Sequence, residues 1–420
     1  MSDPPTDPRD DDRHETFGGE VLGPPIELEP GERIELRGGP RTASREGRGT
    51  NWDQAGEPRA SDSRESQPPP DTATVRVLDA AANRAREGLR VLEDYARFVR
   101  DDRHLAEGLK QVRHEIAELV APLGWERRAV CRNTAGDVGT SITTDAEMTR
   151  AAAVDLVLAN AGRASEALRT LEEFGKTVGE HTGGHAQQLR YMLYTLEKAL
   201  LTAERADSRL DGRVLYLITD VAAESLRATT RALAGGAVGL VQLREKAADD
   251  QTLLEAGRTL RRITAAHGVL LIVNDRPDLA VAVNADGVHV GQGDMPVDAA
   301  RTVVGPDRLV GLSTHSVEQA RAGVTAGADY LGVGACFPTT TKAHAEVNGL
   351  ALIEAVAAEI SLPFFAIGGI TPENAAAVRA AGATRAAVSR SVLQADDPAD
   401  AARRCVSVLT GHTAGAADLK

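Results

Sequence analysis

The sequence predicts an α/β fold: a (β/α)8 TIM barrel preceded by an all-helical bundle and a polar N-terminal tail. Three observations lead to this prediction. Eight short apolar runs alternate with helical patterns over residues 212–410. Apolar residues recur at the three-and-four spacing of an amphipathic helix over residues 72–205. Residues 1–71 are rich in Pro, Asp, Arg and Gly and have no sustained periodicity.

These patterns divide the chain into a tail at 1–71, a helical repeat domain at 72–205 and a barrel domain at 206–420. We expect the tail to be disordered, because its polar composition cannot bury enough apolar surface to offset the entropy lost on ordering. One run within it, between Val21 and Leu36, contains enough aliphatic residues that it could form a small strand pair or docking segment.

The helical domain contains an internal repeat. The segment Arg84–Tyr95 (RAREGLRVLEDY) matches Arg163–Phe174 (RASEALRTLEEF). A second helical pattern follows each copy, at Leu109–Leu119 and at Ala186–Leu200. Two similar helical hairpins predict a pseudo-twofold four-helix bundle. A polar, glycine-rich loop, residues 132–140, links the two copies.

Each copy of the repeat carries an Arg-x-x-Glu-x-x-Arg pattern, which places three charged side chains on one helix face. Two interpretations are open. The favoured one is a set of salt bridges between the two copies, and the other is a second anion-binding site. The residues are Arg84, Glu87 and Arg90 in the first copy and Arg163, Glu166 and Arg169 in the second.

The barrel is predicted from the eight apolar runs. Continuous apolar runs that alternate with helices are typical of a parallel sheet covered by helices. Eight evenly spaced units in about 200 residues favour a closed barrel over a doubly wound sheet. The runs are Leu215–Asp220, Leu240–Glu245, Leu270–Asp275, Gly287–Gly291, Val310–His315, Tyr330–Ala335, Phe364–Gly369 and Ala386–Ser391.

Every predicted strand ends in polar residues, and barrel enzymes place their chemistry at these ends. Arg244 and Lys246 lie at the end of the second run and Lys342 follows the sixth, which predicts a basic cluster. Asp275 ends the third run and Asp294 follows the fourth, which predicts an acidic pair. Carboxylates bind a hard cation and the basic groups bind phosphate oxygens, so this combination predicts a pyrophosphate held through Mg²⁺. Either aspartate alone would more often be a helix N-cap.

Other strand ends predict a monophosphate site. Residues 334–342 place three threonines and a lysine after the sixth strand. Gly368-Gly369 and the turn at Ser389 fit the phosphate site that barrels form after strands seven and eight. The alternative is that these glycines only permit close packing. The next helix is predicted to open at Thr371-Pro372.

Two histidines lie on the predicted strands. His289 lies within the fourth run, where a core position is expected, whereas His315 lies at a strand end, where it could contact substrate.

The composition argues against several other functions. The net charge of −13 with no basic stripe argues against a nucleic-acid partner. The three cysteines are far apart and predict neither a disulfide framework nor a zinc site. The chain has no signal-like N-terminus and no apolar run near the roughly 20 residues of a membrane span. We therefore expect a cytoplasmic protein without a membrane partner. A homo-oligomer is compatible with the sequence, which does not fix the oligomeric state.

At the ends of the predicted strands, the chain resembles the thiamine-phosphate synthase family. The resemblance covers roughly residues 212–410, and the helical domain resembles an N-terminal extension of some bacterial members. The motifs are Gln242–Lys246 (QLREK), Val273–Asp275 (VND), Asp286–Gln292 (DGVHVGQ) with Asp294, Gly311–His315 (GLSTH), Gly332–Lys342 (GVGACFPTTTK) and Ile367–Ile370 (IGGI).

The resemblance implies a Mg²⁺-dependent transferase of thiamine biosynthesis. It would join 4-amino-2-methyl-5-(diphosphooxymethyl)pyrimidine to 4-methyl-5-(2-phosphoethyl)thiazole, or the carboxylated thiazole, with dissociative loss of pyrophosphate. The two phosphorylated heterocycles would be its small-molecule partners.

The resemblance also assigns roles to residues. Asp275 and Asp294 would bind Mg²⁺. Arg244, Lys246, Lys342 and Ser313 would be the catalytic residues. The pyrimidine diphosphate would contact those four together with Gln242 and Asn274. The thiazole phosphate would contact Thr339, Thr341, Gly369, Val388 and Ser389.

Two alternatives stay open at this point. A thiazole tautomerase-like relative shares the fold but needs no pyrophosphate site. The helical domain, which has no P-loop, could act as a regulatory or oligomerisation module.

Overall fold

The structure is a computed structural model that describes residues 69–134, 136, 152–338 and 347–411. The tail prediction therefore lies outside the described residues except at Pro69–Asp71, as does most of the glycine-rich loop. The described residues all belong to one compact unit. None of the described helices is long and apolar enough to cross a bilayer.

Four long helices form the predicted bundle. Helix α1 packs against α2 and α4, and α5 packs against the same two helices. Asp71 caps α1 by accepting a hydrogen bond from the Thr74 backbone N–H at 2.7 Å. The elements are α1 (Thr72–Phe98), α2 (Arg103–Val120), a 3-10 turn (Ala121–Leu123), α3 (Trp125–Cys131), α4 (Ala153–Gly175) and α5 (Glu180–Leu210).

A buried glutamate joins the two helices of each hairpin. Glu93 on α1 accepts a hydrogen bond from Arg113 on α2 at 2.9 Å, and its side chain is 3% exposed. Glu172 on α4 accepts from Arg190 on α5 at 2.8 Å, and its side chain is 2% exposed. The two glutamates occupy equivalent positions in the repeat. Each hairpin is therefore held together by the same kind of buried Glu–Arg ion pair.

The favoured interpretation of the Arg-x-x-Glu-x-x-Arg pattern is wrong, because no ion pair joins the two copies among the described residues. The first arginine and the glutamate of each pattern are exposed. The copies instead meet through small residues: a Cβ on Gly88 would lie only 2.8 Å from the carbonyl oxygen of Asn160 on α4. The last arginine of each pattern pairs within its own helix, Arg90 with Glu93 and Asp94, and Arg169 with Glu172 and Glu173.

Eight parallel strands close into a barrel in sequential order, as predicted. Each strand ends one to three residues before the end of its predicted run, and the last residues of each run lie beyond the strand. The strands are β1 (Leu215–Thr219), β2 (Val238–Leu243), β3 (Leu270–Asn274), β4 (Gly287–Val290), β5 (Leu309–Thr314), β6 (Tyr330–Gly334), β7 (Phe364–Ile367) and β8 (Ala386–Val388).

Helices follow the strands and cover the barrel. They are α6 (Ala223–Ala234), α7 (Asp250–Ala266), α8 (Pro277–Ala282), α9 (Val297–Val304), α10 (Val317–Ala326), α11 (Gly349–Ala357), α12 (Ala375–Ala380), α13 (Arg390–Leu393) and α14 (Pro398–Thr410).

Helix α5 belongs to both parts of the molecule. It continues across the predicted domain boundary at residues 205 and 206 and ends at Leu210. Leu210 is fully buried and packs in the interior cluster of the barrel, which includes Tyr216, Tyr330 and Phe365. The last turn of the helical bundle therefore forms part of the floor of the barrel.

Polar contacts hold the bundle against the loops that precede β6 and β7. Arg205 on α5 donates to Asp329, which directly precedes β6. Asp102, the N-cap of α2, accepts from the backbone N–H and the hydroxyl of Ser361 at 2.9 and 3.0 Å. These loops enter the strands, so the bundle lies at the face of the barrel opposite the C-terminal strand ends.

Asp329 is the centre of this interface, and its replacement tests it. The carboxylate is fully buried and accepts from Arg205, from Arg301 and from the Val310 backbone N–H at 2.7 Å. We predict that Asp329→Asn lowers the free energy of unfolding by about 3–5 kcal/mol, because two arginines lose a buried counter-charge. Urea titration followed by circular dichroism measures the change.

Glu107→Gln is the matched control. It removes an ion pair with Arg103 in which both side chains are exposed, and it should cost less than about 1 kcal/mol. Similar small losses in both variants would show that the interface does not depend on the Asp329 charge.

Candidate active site

A cavity of about 510 Å³ opens at the C-terminal ends of the strands. It brings together every predicted site residue that the structure describes, although these residues lie on six strand ends or their loops. Lys342, Thr339 and Thr341 lie outside the described residues. The predicted residues that line the cavity are Gln242, Arg244, Lys246, Asn274, Asp275, Asp294, Ser313, Gly369, Val388 and Ser389.

The two predicted metal ligands lie close together in the wall. Asp275 follows β3 in a left-handed conformation (φ 61°) and contacts Lys246 Nζ at 3.0 Å. Asp294 closes a turn by accepting from the Gly291 backbone N–H at 2.9 Å. Burial raises the pKa of the Asp275 carboxyl, Lys246 acts to lower it, and the neighbouring charge of Asp294 raises it again. The two carboxylates therefore repel each other, and a cation between them would relieve that repulsion.

This donor set fits magnesium better than zinc. Within the described parts of the chain, no group of three or more His, Cys, Asp or Glu side chains could hold a metal ion. Structural zinc sites require about four such ligands. Mg²⁺ is commonly bound by one or two carboxylates, with water and substrate phosphate oxygens completing its shell. Asp275 and Asp294 supply that number of hard oxygen donors.

Arg244 gives the cavity a positive group that has no counter-ion among the described residues. Its backbone N–H donates to the Thr219 carbonyl at 2.8 Å, which fixes the turn after β2. Its guanidinium has no acceptor among the described residues, whereas Lys246 is shared with Asp275. Within the described part of the chain, an anionic ligand would therefore find one unpaired cation and one partly neutralised cation at the end of β2.

A chain of hydrogen bonds crosses the interior below these charged groups. Gln242 Nε2 donates to the Tyr216 hydroxyl at 2.6 Å, and the hydroxyls of Tyr216 and Tyr330 lie 3.0 Å apart. His289 Nδ1 lies 3.3 Å from the Tyr330 hydroxyl, and its Nε2 lies 2.9 Å from Ser313 Oγ. Burial lowers the pKa of His289 to about 4, so the imidazole is neutral at pH 7.

The sequence predicts a core position for His289 and indicates no functional role for Tyr216 or Tyr330. His289 is buried, as expected, but it also lines the cavity and contacts Ser313. The glycine at position 311 was the sequence feature that could have indicated this contact. A Cβ there would lie 2.2 Å from Tyr330 Cζ and 2.5 Å from His289 Nδ1. The glycine of the GLSTH motif leaves the space in which these two rings meet.

His315 lines the cavity at the end of β5. Its Nδ1 lies 2.6 Å from the carbonyl oxygen of Gly334, so that nitrogen carries a proton and donates. The contact joins the ends of β5 and β6. A contact between His315 and a substrate stays a prediction.

The glycine pair after β7 allows the loop after β6 to approach closely. Gly369 has φ 62°, and a Cβ on it would lie 2.5 Å from the Pro338 carbonyl oxygen. The Phe337 backbone N–H donates to Gly368 O at 3.0 Å. Close packing is therefore one role of the pair. The backbone N–H groups of Gly369 and Ser389 have no acceptor among the described residues, so both can still donate to a ligand.

The helix after β7 begins at Ala375 rather than at the predicted Pro372. The Asn374 side chain is the reason. Its Oδ1 accepts from the Thr371 backbone N–H at 2.8 Å, and its Nδ2 donates to Gly369 O at 2.9 Å. These two bonds hold residues 371–374 as a turn against the glycine pair.

Comparison with known proteins adds independent findings. Residues 215–392 match the family described as thiamine monophosphate synthase, and residues 76–199 match the ThiD2 family. The thiamine-phosphate synthase of Synechocystis sp. is 41% identical over 339 residues, which cover 81% of this chain and 97% of the relative. That of Nostoc punctiforme is 44% identical over 323 residues, which cover 77% and 90%.

A solved structure, the thiamine phosphate pyrophosphorylase from Pyrococcus furiosus, is 35% identical. The similarity covers 49% of this chain and 98% of that one, with a TM-score of 0.45.

Gly369→Ala tests whether the loop after β6 depends on the absence of a side chain. We predict a loss of roughly 1–2 kcal/mol in unfolding free energy from the left-handed backbone and a further loss of about 1–3 kcal/mol from displacing Pro338. Gly268→Ala is the matched control, because its φ of 65° is similar but nothing lies within 4 Å of the added Cβ. Urea titrations of both variants measure the difference. Equal losses would contradict the close approach.

Proposed function

Because this chain belongs to the thiamine-phosphate synthase family, we propose that the cavity joins an aminopyrimidine diphosphate to a thiazole phosphate and releases pyrophosphate. The substrates would be 4-amino-2-methyl-5-(diphosphooxymethyl)pyrimidine and 4-methyl-5-(2-phosphoethyl)thiazole, or its carboxylated form. The observation that carries the proposal is the convergence of basic side chains, two carboxylates and backbone N–H donors on one cavity.

The diphosphate would lie at the ends of β2, β3 and β4. Arg244 and Lys246 would contact its oxygens, together with Lys342. Asp275 and Asp294 would hold Mg²⁺, which when bound neutralises part of the negative charge of the diphosphate. Lys246 already lies 3.0 Å from Asp275, so the basic and acidic groups are positioned to share one ligand.

The thiazole phosphate would lie at the ends of β7 and β8. Gly369 and Ser389 offer backbone N–H groups, and Val388 lies beside them at the end of β8. Thr339 and Thr341 would contribute hydroxyl donors. Helices α12 and α13 are only six and four residues long, so the backbone N–H groups rather than a long helix dipole would bind the phosphate.

The bond changes require no covalent enzyme intermediate. The C–O bond between the pyrimidine methylene and the diphosphate breaks, and its electron pair leaves with the pyrophosphate. The lone pair of the thiazole nitrogen forms the new C–N bond to the same carbon. Arg244 and Lys246 stabilise the negative charge that grows on the departing oxygen, which lowers the barrier electrostatically. The neutral His289 is not needed as a base, because the attacking nitrogen carries no proton.

Product analysis with the full chain tests this function. Purified protein with both phosphorylated heterocycles and Mg²⁺ should release thiamine phosphate and pyrophosphate in equal amounts. Absence of thiamine phosphate would overturn the proposal. Isomerisation of the thiazole without the pyrimidine would instead support the tautomerase-like alternative.

The metal assignment makes a separate prediction. We expect Asp294→Asn to raise the Mg²⁺ concentration needed for half-maximal activity by about tenfold or more, equivalent to about 1.4 kcal/mol of lost binding energy. The physical reason is the loss of one of two anionic oxygen donors. Steady-state rates across a Mg²⁺ titration at saturating substrates measure the shift.

Asp298→Asn is the control for that experiment. Asp298 is exposed in the first turn of α9, and its carboxylate accepts only from the neighbouring Ala299 backbone N–H among the described residues. Its Mg²⁺ titration should match that of the unmodified protein. Superimposable titrations for all three proteins would refute the role of Asp294.

A further inference from the structure

We propose that Tyr216, Tyr330 and His289 are positioning residues that orient the hydrogen bonds of Gln242 and Ser313. In this arrangement each member donates to the next, from Gln242 towards Ser313. Gln242 Oε1 is then left as an acceptor at the cavity, and the Ser313 hydroxyl is left as a donor. The inference rests on the proposed function and on the sequence-based expectation that Gln242 and Ser313 contact the pyrimidine diphosphate.

The five side chains form an uninterrupted path across the barrel. They lie on β1, β2, β4, β5 and β6, and the separations between consecutive partners run from 2.6 to 3.3 Å. The first four are at least nine-tenths buried: Gln242 is 3% exposed, Tyr216 2%, Tyr330 0% and His289 6%. Burial at this depth makes each hydrogen bond costly to lose, because water cannot replace a missing partner.

The number of protons on each group fixes the direction. A phenol has a single proton to donate. The Gln242 amide donates to Tyr216, so Tyr216 gives its proton to Tyr330, and Tyr330 gives its proton to His289 Nδ1. Nδ1 accepts that hydrogen bond and is therefore bare, so the ring proton lies on Nε2, from which it donates to Ser313 Oγ. The proton of Ser313 remains for a ligand.

Packing holds these groups in place. The rings of Tyr216 and Tyr330 meet edge to face, with centroids 5.9 Å apart, and Phe365 packs against both in the same way. Gly311 leaves room for Tyr330 and His289 to meet, as described above. Neither phenol can turn away without opening a gap in the barrel core.

The two ends of the path match the proposed substrate. The exocyclic amino group of the pyrimidine is a donor and would meet the Gln242 Oε1 acceptor. The diphosphate oxygens are acceptors and would meet the Ser313 hydroxyl proton. If each hydrogen bond were donated in the opposite direction, the Gln242 amide N–H would face the pyrimidine amino group, which is also a donor. The Ser313 lone pairs would then face the anionic oxygens, which are also acceptors. Buried like-with-like contacts of this kind are strongly disfavoured.

The tautomer of His289 is the direct test. In the full chain labelled with ¹⁵N-histidine, long-range ¹H–¹⁵N correlation spectra without ligand distinguish protonated from bare ring nitrogens. The chain contains 10 histidines, and the signal missing from a His289→Gln variant identifies His289. We expect a proton on Nε2 and none on Nδ1. A proton on Nδ1, or on both nitrogens, would overturn the proposal.

Tyr330→Phe provides a second test, because it removes the proton donated to Nδ1. We expect the KM for the pyrimidine diphosphate to rise about tenfold and the KM for the thiazole phosphate to change less than about twofold. The single His289 tautomer should also be lost. Tyr194→Phe is the control, since it removes an exposed hydroxyl on α5 outside the cavity.

Equal changes in both KM values, or an unaltered His289 spectrum in Tyr330→Phe, would contradict the positioning role. The spectrum of the unmodified protein does not depend on turnover. An Nε2-protonated His289 in a protein that makes no thiamine phosphate would therefore uphold the path and reject the substrates.

Discussion

The parallel ladder between β8 and β1 closes the sheet, and closure places the C-terminal ends of all eight strands around one opening. Gln242 and Ser389 are far apart in sequence, yet both line the same cavity because β2 and β8 flank β1. The charged pair Lys246 and Asp275 arises in the same way, from the ends of neighbouring strands. An open sheet would leave β1 and β8 as edges and would separate the glycine pair after β7 from the basic groups.

The interior of the barrel serves both folding and the site. Leu210 from α5 packs in the interior cluster with Tyr216, Tyr330 and Phe365, so the helical bundle contributes to the floor. The polar atoms of the two phenols and of His289 are satisfied by one another and by Gln242 and Ser313. The bundle contacts the opposite face from the cavity, through Asp329 and Ser361. A regulatory or oligomerisation role for the bundle stays a prediction.

Much of this arrangement follows from the sequence, because its main features are periodic. Eight apolar runs with polar ends predict eight strands and the position of the site, and the described candidate residues do line one cavity. Contacts between distant segments are harder to predict. His289 looks like a core residue in its own run, and only the fold brings Ser313 and Tyr330 to its two ring nitrogens.

The errors in the helical domain have a similar cause. The Arg-x-x-Glu-x-x-Arg pattern defines a helix face but not what covers it, and the structure leaves most of that face to solvent. The residue that joins each hairpin, Glu93 or Glu172, lies on a different, buried face. Helix α12 begins later than predicted because the Asn374 side chain holds residues 371–374 as a turn.

We propose that one cavity binds both the diphosphate and the thiazole phosphate, with Arg244 and Lys246 at the departing pyrophosphate. A crystal structure of the full chain with thiamine phosphate, pyrophosphate and Mg²⁺ would decide this claim. We predict pyrophosphate in contact with Arg244 and Lys246, the metal between Asp275 and Asp294, and the phosphate of thiamine phosphate at the Gly369 and Ser389 N–H groups. Pyrophosphate bound away from Arg244, or a metal that touches neither aspartate, would contradict the claim.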